Sequence, residues 1–216
     1  MKCDPEAMLL YAVTDRAWTG TQTLYQQVEC ALKGGVTCIQ LREKRLDKAA
    51  FLAEAKEIGG LCRAYDVPFI VNDSVEIALA CGADGVHVGQ RDMDAGQVRG
   101  LAGGRLMIGV SARTVEDALR AQRSGADYLG VGAVFGTSTK PDAKAVSHQT
   151  LKEICAAVDI PVVAIGGISR DNIPELSGTG IDGVALVSAI FAAEDIEARC
   201  RELKELVRRT VKGAQQ

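Results

Sequence analysis

Eight short apolar runs, each broken off by polar residues and each followed by a segment of helical character, constrain this 216-residue chain more than any other feature. The runs are Met8 to Thr14, Cys38 to Leu41, Pro68 to Val71, Gly85 to Val88, Met107 to Val110, Tyr128 to Val134, Pro161 to Ile165 and Gly183 to Leu186. They are continuously apolar rather than alternating, which is the pattern of parallel strands buried on both faces. Between them the sequence predicts helices: one capped by Thr21, one capped by Asp47 and running to about Tyr65, and a short one from Ser74 to Cys81. Further helices are predicted over Ala95 to Leu101, from the Thr114 cap to Ser124, over Gln149 to Val158, over Asp171 to Ser177, and from Ser188-Ala189 onward. Right-handed crossovers between eight buried strands lead to a closed (β/α)8 TIM barrel. An open doubly wound sheet is the competing arrangement, and it is disfavoured because no G-x-G-x-x-G follows the first strand. An internal echo supports regular repetition. Gly82-Ala83-Asp84, Gly125-Ala126-Asp127 and Gly180-Ile181-Asp182 each place a glycine at a helix end and an aspartate before a strand. These aspartates fall at the strand starts, so they read as structural.

The whole chain, 1–216, is expected to form one barrel domain with a polar C-terminal tail from about residue 212. A hydrophobic content of 47% argues against disorder, and no apolar run is long enough to span a bilayer. The start Met1-Lys2-Cys3-Asp4-Pro5-Glu6 is too acidic for a signal peptide. A net charge of -3 gives no footprint for nucleic acid or an anionic membrane. Seven cysteines with no CxxC pair, most in apolar surroundings, suit free thiols in a reducing cytoplasm. With only His87 and His148 present, a histidine-rich zinc site is not expected.

In a barrel the strand C-termini converge on one face, where active sites form. The chain places there Gln40, Arg42 and Lys44; Asn72 and Asp73; Asp92; Ser111; Thr137, Thr139 and Lys140; Gly166 and Gly167; and Ser188. Each alone reads as a solvated loop group or helix cap, and Asp73 before Ser74 could simply be capping. Together, three cations, two carboxylates and several small donors exceed what a structural rim needs. Arg42, Lys44 and Lys140 offer charge-assisted bonds to an anion that needs more than one cation. Asp73 and Asp92, with Asn72 nearby, suit Mg²⁺, which takes one or two carboxylates plus substrate phosphate oxygens. A second anion fits Gly166-Gly167 and Ser188. The stretch Gly136-Thr137-Ser138-Thr139-Lys140 can cradle a phosphate through amides, hydroxyls and an ammonium. Its composition to Ser147 also predicts a loop that is mobile when empty and ordered by ligand.

These residues carry a resemblance. Tyr11-Ala12-Val13-Thr14-Asp15-Arg16, Gln40-Leu41-Arg42-Glu43-Lys44, Val71-Asn72-Asp73, Gly82 to Gln90, Gly109-Val110-Ser111-Ala112, Thr137-Ser138-Thr139-Lys140, Ile165-Gly166-Gly167-Ile168 and Val187-Ser188-Ala189-Ile190 together resemble the thiamine-phosphate synthase family. The resemblance runs over nearly the whole chain. It implies a Mg²⁺-dependent transferase of thiamine biosynthesis that joins 4-amino-2-methyl-5-hydroxymethylpyrimidine diphosphate to 4-methyl-5-(2-phosphoethyl)thiazole and releases diphosphate. By the same resemblance, Gln40, Arg42, Lys44 and Asn72 contact the pyrimidine diphosphate with Ser111 and Lys140. Asp73 and Asp92 hold Mg²⁺. Thr137 and Thr139 face the thiazole phosphate, with Gly167 and the backbone near Val187 and Ser188. Arg42, Lys44, Lys140 and Ser111 are the expected catalytic set.

Arg91 departs from the family, which often has an acidic residue there, and His87 is expected to pack or bridge rather than to act as a base. Two other functions compete. A thiazole tautomerase would share the barrel but need only the thiazole site, and a non-catalytic barrel would keep the phosphate pocket as a ligand sensor. The expected partners are two small molecules; a homo-oligomer through apolar positions on outer helices is open on the sequence.

Overall fold

The computed structural model describes residues 3–90, 92–136 and 145–212. Its strands are β1 (Leu10–Val13), β2 (Cys38–Leu41), β3 (Phe69–Asn72), β4 (Gly85–Val88), β5 (Met107–Ala112), β6 (Tyr128–Gly132), β7 (Val162–Ile165) and β8 (Gly183–Leu186). Their helices are α1 (Leu24–Lys33), α2 (Lys48–Ala64), α3 (Val75–Cys81), α4 (Ala95–Ala102), α5 (Val115–Arg123), α6 (His148–Ala157), α7 (Ser188–Phe191) and α8 (Ile196–Lys212). The strands run in sequence order around a closed parallel barrel, and β8 pairs with β1 through Leu10↔Val184 and Ala12↔Leu186. The architecture is the expected (β/α)8 barrel.

Because every strand is buried, inside and outside are set by strand phase rather than by polarity. Ile39, Leu41, Val71, Val86 and Leu129 point out and join the large core beneath the helices. The opposite phase makes a smaller inner cluster, including Tyr11, Val13, Cys38, Ile70, Tyr128 and Val163. Cys3 and Met8, on the segment entering β1, belong to that inner cluster too.

The echoed aspartates clamp the strand starts. Asp84 Oδ2 accepts the N–H of Phe69 at 2.8 Å, while the Asp84 N–H donates to the Phe69 carbonyl. Asp127 does the same with Ile108, and Asp182 with Val162, each at 2.8 Å on the side-chain bond. A fourth clamp uses another residue type: Thr37 Oγ1 accepts the Leu10 N–H at 2.8 Å, and its own N–H donates to the Leu10 carbonyl. Odd-numbered strands are thus each held by the residue that opens the following even-numbered one. Each clamp satisfies backbone groups that would otherwise be left unpaired at a buried strand end.

Several local expectations shift. Thr23, not Thr21, caps α1, because Gln26 lies three residues on and completes a reciprocal capping box. The helix expected over Asp171 to Ser177 is a single 3₁₀ turn, Ile173–Leu176, shortened by Pro174 and by the glycines at 178 and 180. Beyond Ser188 there are two helices, because Asp195 accepts the Ala198 N–H at 2.9 Å and starts α8 afresh. β5 runs to Ala112, so Ser111 is inside a strand rather than beyond its end. β6 stops at Gly132, two residues before Val134. No described helix is long and apolar enough to cross a membrane.

Candidate active site

Among the described residues, the polar groups that follow the strand C-termini share one mouth of the closed barrel. After β2, Arg42 donates from its backbone to Thr14 Oγ1 at 3.0 Å, and its guanidinium donates to Asp15 at 3.0 Å. Lys44 is ion-paired with Asp73, which follows β3. Between the two cations sits Glu43, almost fully buried, whose Oε1 accepts the N–H groups of both Lys44 and Arg45 at 2.7 Å. Arg16 bridges Glu43 and Glu54. Against the cost of burial, the bonds from Arg16, Arg45 and Lys44 leave the Glu43 carboxyl lowered from its ordinary value. Glu54, with more desolvation than compensation, is raised. This clamp shapes the turn that presents Arg42 and Lys44.

Asp73 does not cap α3; Ser74 does, accepting the Ile77 N–H at 3.2 Å. Asp73 instead has a φ of 63°, a left-handed conformation that is uncommon for a residue with a Cβ, and its N–H is tied to the His87 carbonyl at 2.8 Å. Strain of this kind persists where the surroundings fix it, and here it turns the carboxylate toward Lys44. Asp92, after β4, accepts the Gly89 N–H at 2.8 Å and so closes a tight turn. Asp73 and Asp92 therefore end neighbouring strands. Among the described residues no group of three or more acidic, histidine or cysteine side chains could hold a metal unaided.

Under this rim a hydrogen-bonded chain crosses the barrel interior. Gln40 Nε2 donates to Tyr11 OH at 2.8 Å, and Tyr11 OH lies 2.8 Å from Tyr128 OH. Tyr128 OH is 3.1 Å from His87 Nδ1, and His87 Nε2 is 3.0 Å from Ser111 Oγ. Burial pushes both tyrosines well above the ordinary phenol value, so they remain neutral. Glycines make room for this chain. A Cβ on Gly109 would stand 2.1 Å from the Tyr128 ring and 2.5 Å from His87 Nδ1, and one on Gly130 would stand 2.9 Å from His87 Cε1. His87 bridges, as expected.

On the far side of the mouth, Gly166 and Gly167 have φ values of 97° and 66°, and a Cβ on Gly167 would meet the Gly136 carbonyl at 2.3 Å. Phe135 donates to the Gly166 carbonyl at 3.0 Å, so the segment after β6 is laid against this glycine pair. Asn172 Nδ2 holds the Gly167 carbonyl at 2.9 Å. Val187 and Ser188 follow β8 and open α7. Thr137, Thr139, Lys140 and Arg91 lie outside the described residues, as does most of the loop expected to order on ligand binding.

Thiamine monophosphate synthase is the description of the family model that matches residues 10–190. The chain belongs to that family. It is 51% identical over 197 residues to a thiamine-phosphate synthase of Ruminiclostridium cellulolyticum, covering 91% of this chain and 94% of that one. A thiamine-phosphate synthase of Clostridium tetani is 50% identical over 194 residues, 90% of this chain and 93% of that one. Among solved structures, a thiamine phosphate pyrophosphorylase from Pyrococcus furiosus superposes with a TM-score of 0.89 at 40% identity, over 96% of this chain and 98% of that one. 3-Hexulose-6-phosphate synthase, at 20% identity and a TM-score of 0.67, shares the fold alone.

Family membership makes the residues that sequence reasoning passed over more conspicuous. Tyr11 and Tyr128 have no role in the expected site, yet they join Gln40 to His87 and Ser111. A signal was present: buried tyrosine seeks a partner for its hydroxyl. Arg16 and Asp15, inside the quoted motif, hold Glu43 and Arg42 rather than facing a ligand alone.

Proposed function

We propose that this chain is a thiamine-phosphate synthase, a transferase that joins 4-amino-2-methyl-5-hydroxymethylpyrimidine diphosphate to 4-methyl-5-(2-phosphoethyl)thiazole. The thiazole nitrogen forms a bond to the pyrimidine methylene carbon, and the bond from that carbon to the diphosphate oxygen breaks. The observation that carries this reading is the Lys44–Asp73 pair and Arg42 standing at the mouth above the Gln40-to-Ser111 chain, in a sequence about half identical to named synthases.

In this reading Gln40 and Asn72 hold the pyrimidine end, and Arg42, Lys44, Ser111 and Lys140 receive the diphosphate. Gly167 and the backbone of Val187 and Ser188, with Thr137 and Thr139, receive the thiazole phosphate. Mg²⁺ belongs to the same proposal. The donor set fits a hard cation: two carboxylates, Asp73 and Asp92, on adjacent strand ends, with substrate oxygens to complete the shell. Such an ion supplies charge neutralisation to a departing diphosphate. Asp73 is already ion-paired with Lys44, so this carboxylate and ammonium would share the same charged region when substrate binds. Cytoplasmic residence and a homo-oligomeric state are part of the proposal as well. The first rests on seven cysteines that are all free, the second only on apolar outer positions such as Leu101.

The path we favour is dissociative. The thiazole nitrogen has its lone pair already, so no base is needed to make the nucleophile. The cations and small donors gathered here, with a metal held by the carboxylates, suit the stabilisation of a leaving group. The pyrimidine amino group can donate into the ring and support a positive methylene carbon, which the thiazole nitrogen then captures. Replacing the pyrimidine methyl by a strongly electron-withdrawing group should slow single-turnover chemistry by orders of magnitude, at about 1.4 kcal/mol per tenfold. A rate unchanged by that substitution rules out the cation. The activity itself is tested by incubating the protein with both substrates and Mg²⁺. Diphosphate and thiamine phosphate should appear in equal amounts. Conversion of the thiazole alone would indicate a tautomerase, and no conversion a binding barrel.

A further inference from the structure

The chain of hydrogen bonds from Gln40 to Ser111 can be followed in one direction, starting from the amide that opens it. Gln40 Nε2 donates to Tyr11 OH at 2.8 Å, and the Tyr11 proton can then go to Tyr128 OH, also at 2.8 Å, with the Cys38 thiol as the competing partner. With Tyr11 donating, the Tyr128 proton is left for His87 Nδ1 at 3.1 Å. With Nδ1 accepting, an imidazole with one ring proton carries it on Nε2 and donates it to Ser111 Oγ at 3.0 Å. Ser111 has then accepted within the chain, and its own proton remains to be given elsewhere. Tyr11 and Tyr128 are 1% and 0% exposed, so water has no access to reset the order from the middle.

We propose that Tyr11 and Tyr128 are positioning residues that fix this polarity, holding His87 as the Nε2–H tautomer, Ser111 as a donor toward the substrate, and the Gln40 amide in one orientation. The use of that polarity rests on the synthase reading. An aminopyrimidine offers a donor amino group beside an acceptor ring nitrogen, which an amide of fixed orientation can match at both points, as amides match adenine. A diphosphate offers only acceptors, so a Ser111 hydroxyl that donates attracts it. With the chain reversed, Ser111 would give its proton to His87 and present lone pairs to an anion. In this role the tyrosines act through Gln40 and His87 and decide which way both ends face. Glycines at 109 and 130 serve the same end, since any Cβ there would displace His87 or the Tyr128 ring.

The test is the tautomer of His87 in the substrate-free protein, read by nitrogen-15 NMR. The chain has only two histidines, so a His148→Gln variant assigns the signals. The expected result is the Nε2–H form in the parent protein. Tyr128→Phe and Tyr11→Phe should each shift it toward a mixture and lower kcat/KM for the pyrimidine substrate by about tenfold, roughly one hydrogen bond. KM for the thiazole phosphate should not move. The double variant should cost no more than the worse single one, because both act through one chain. Should Tyr128→Phe fail to fold, Tyr11→Phe carries the same readouts. An Nδ1–H tautomer in the parent protein, or one unchanged in the folded variants, overturns the proposal. The tautomer needs no substrate, so an absence of synthase activity would sink the functional reading and leave this result standing.

Discussion

The two ends of the barrel use the same side chains for opposite purposes. At the strand starts, Asp84, Asp127 and Asp182 each spend a carboxylate oxygen on a backbone N–H of the preceding odd-numbered strand. At the strand ends, Asp73 and Asp92 follow β3 and β4, and Asp73 faces an ammonium from another strand while its own backbone is held at positive φ. The floor aspartates satisfy the fold locally. The Lys44–Asp73 pair is half-exposed, and such pairs add little stability. A charge that contributes little to the fold yet is held at positive φ beside the strand ends is the first candidate for a binding role. That contrast teaches where to look for chemistry: aspartate alone says nothing, and the backbone groups it satisfies say a good deal.

The contrast breaks most visibly at Lys44. Lys44→Ala should reduce turnover about 100-fold or more, because a charge-assisted contact to a departing anion is lost, while stability changes by less than about 0.5 kcal/mol. Steady-state kinetics beside a urea melt check both halves. On the floor the order should reverse. Asp127→Ala leaves the Ile108 N–H without its 2.8 Å partner and removes the Arg99 ion pair. It should lower unfolding free energy by roughly 2 kcal/mol and leave kcat/KM of the folded fraction near that of the parent protein.

The smallest effect sharpens the comparison within the floor itself. Asp182 makes the same clamp, but burial raises its carboxyl above the ordinary value and only the Val162 N–H opposes it. A raised carboxyl means the folded state binds its proton more tightly. Its contribution to stability is therefore fully present below the unfolded value and is lost as pH rises through the folded one. Asp182→Asn keeps an oxygen for the Val162 N–H and removes the charge. The variant should match or slightly exceed the parent protein at neutral pH, within about 1 kcal/mol, and that difference should shrink on acidification. Unfolding midpoints measured across pH would show it.

The outline of this account was legible in the sequence, and its wiring was not. Eight apolar runs with polar ends announce a barrel, and charges at the run ends announce a mouth. Three clamps were visible because aspartate repeats; the fourth was hidden because Thr37 does the same work with a hydroxyl. Strands buried on both faces erase the alternation that tells inside from outside, so nothing marked Tyr11 as inward-facing and Ala12 as outward-facing. Without that phase, the path from Gln40 to Ser111 could not be traced. Threonine suits a cap at position 21, but the partner that decides it, Gln26, pairs with Thr23 instead.

In this reading the mouth carries catalysis and the fold does not depend on it. Asp73→Asn tests this most directly, with thiamine phosphate formation and urea unfolding measured on the same preparation. The account predicts a loss in kcat/KM of about 100-fold or more, with unfolding free energy within about 0.5 kcal/mol of the parent protein. Turnover near that of the parent protein at limiting Mg²⁺, or a loss of activity matched by a loss of fold, would contradict it.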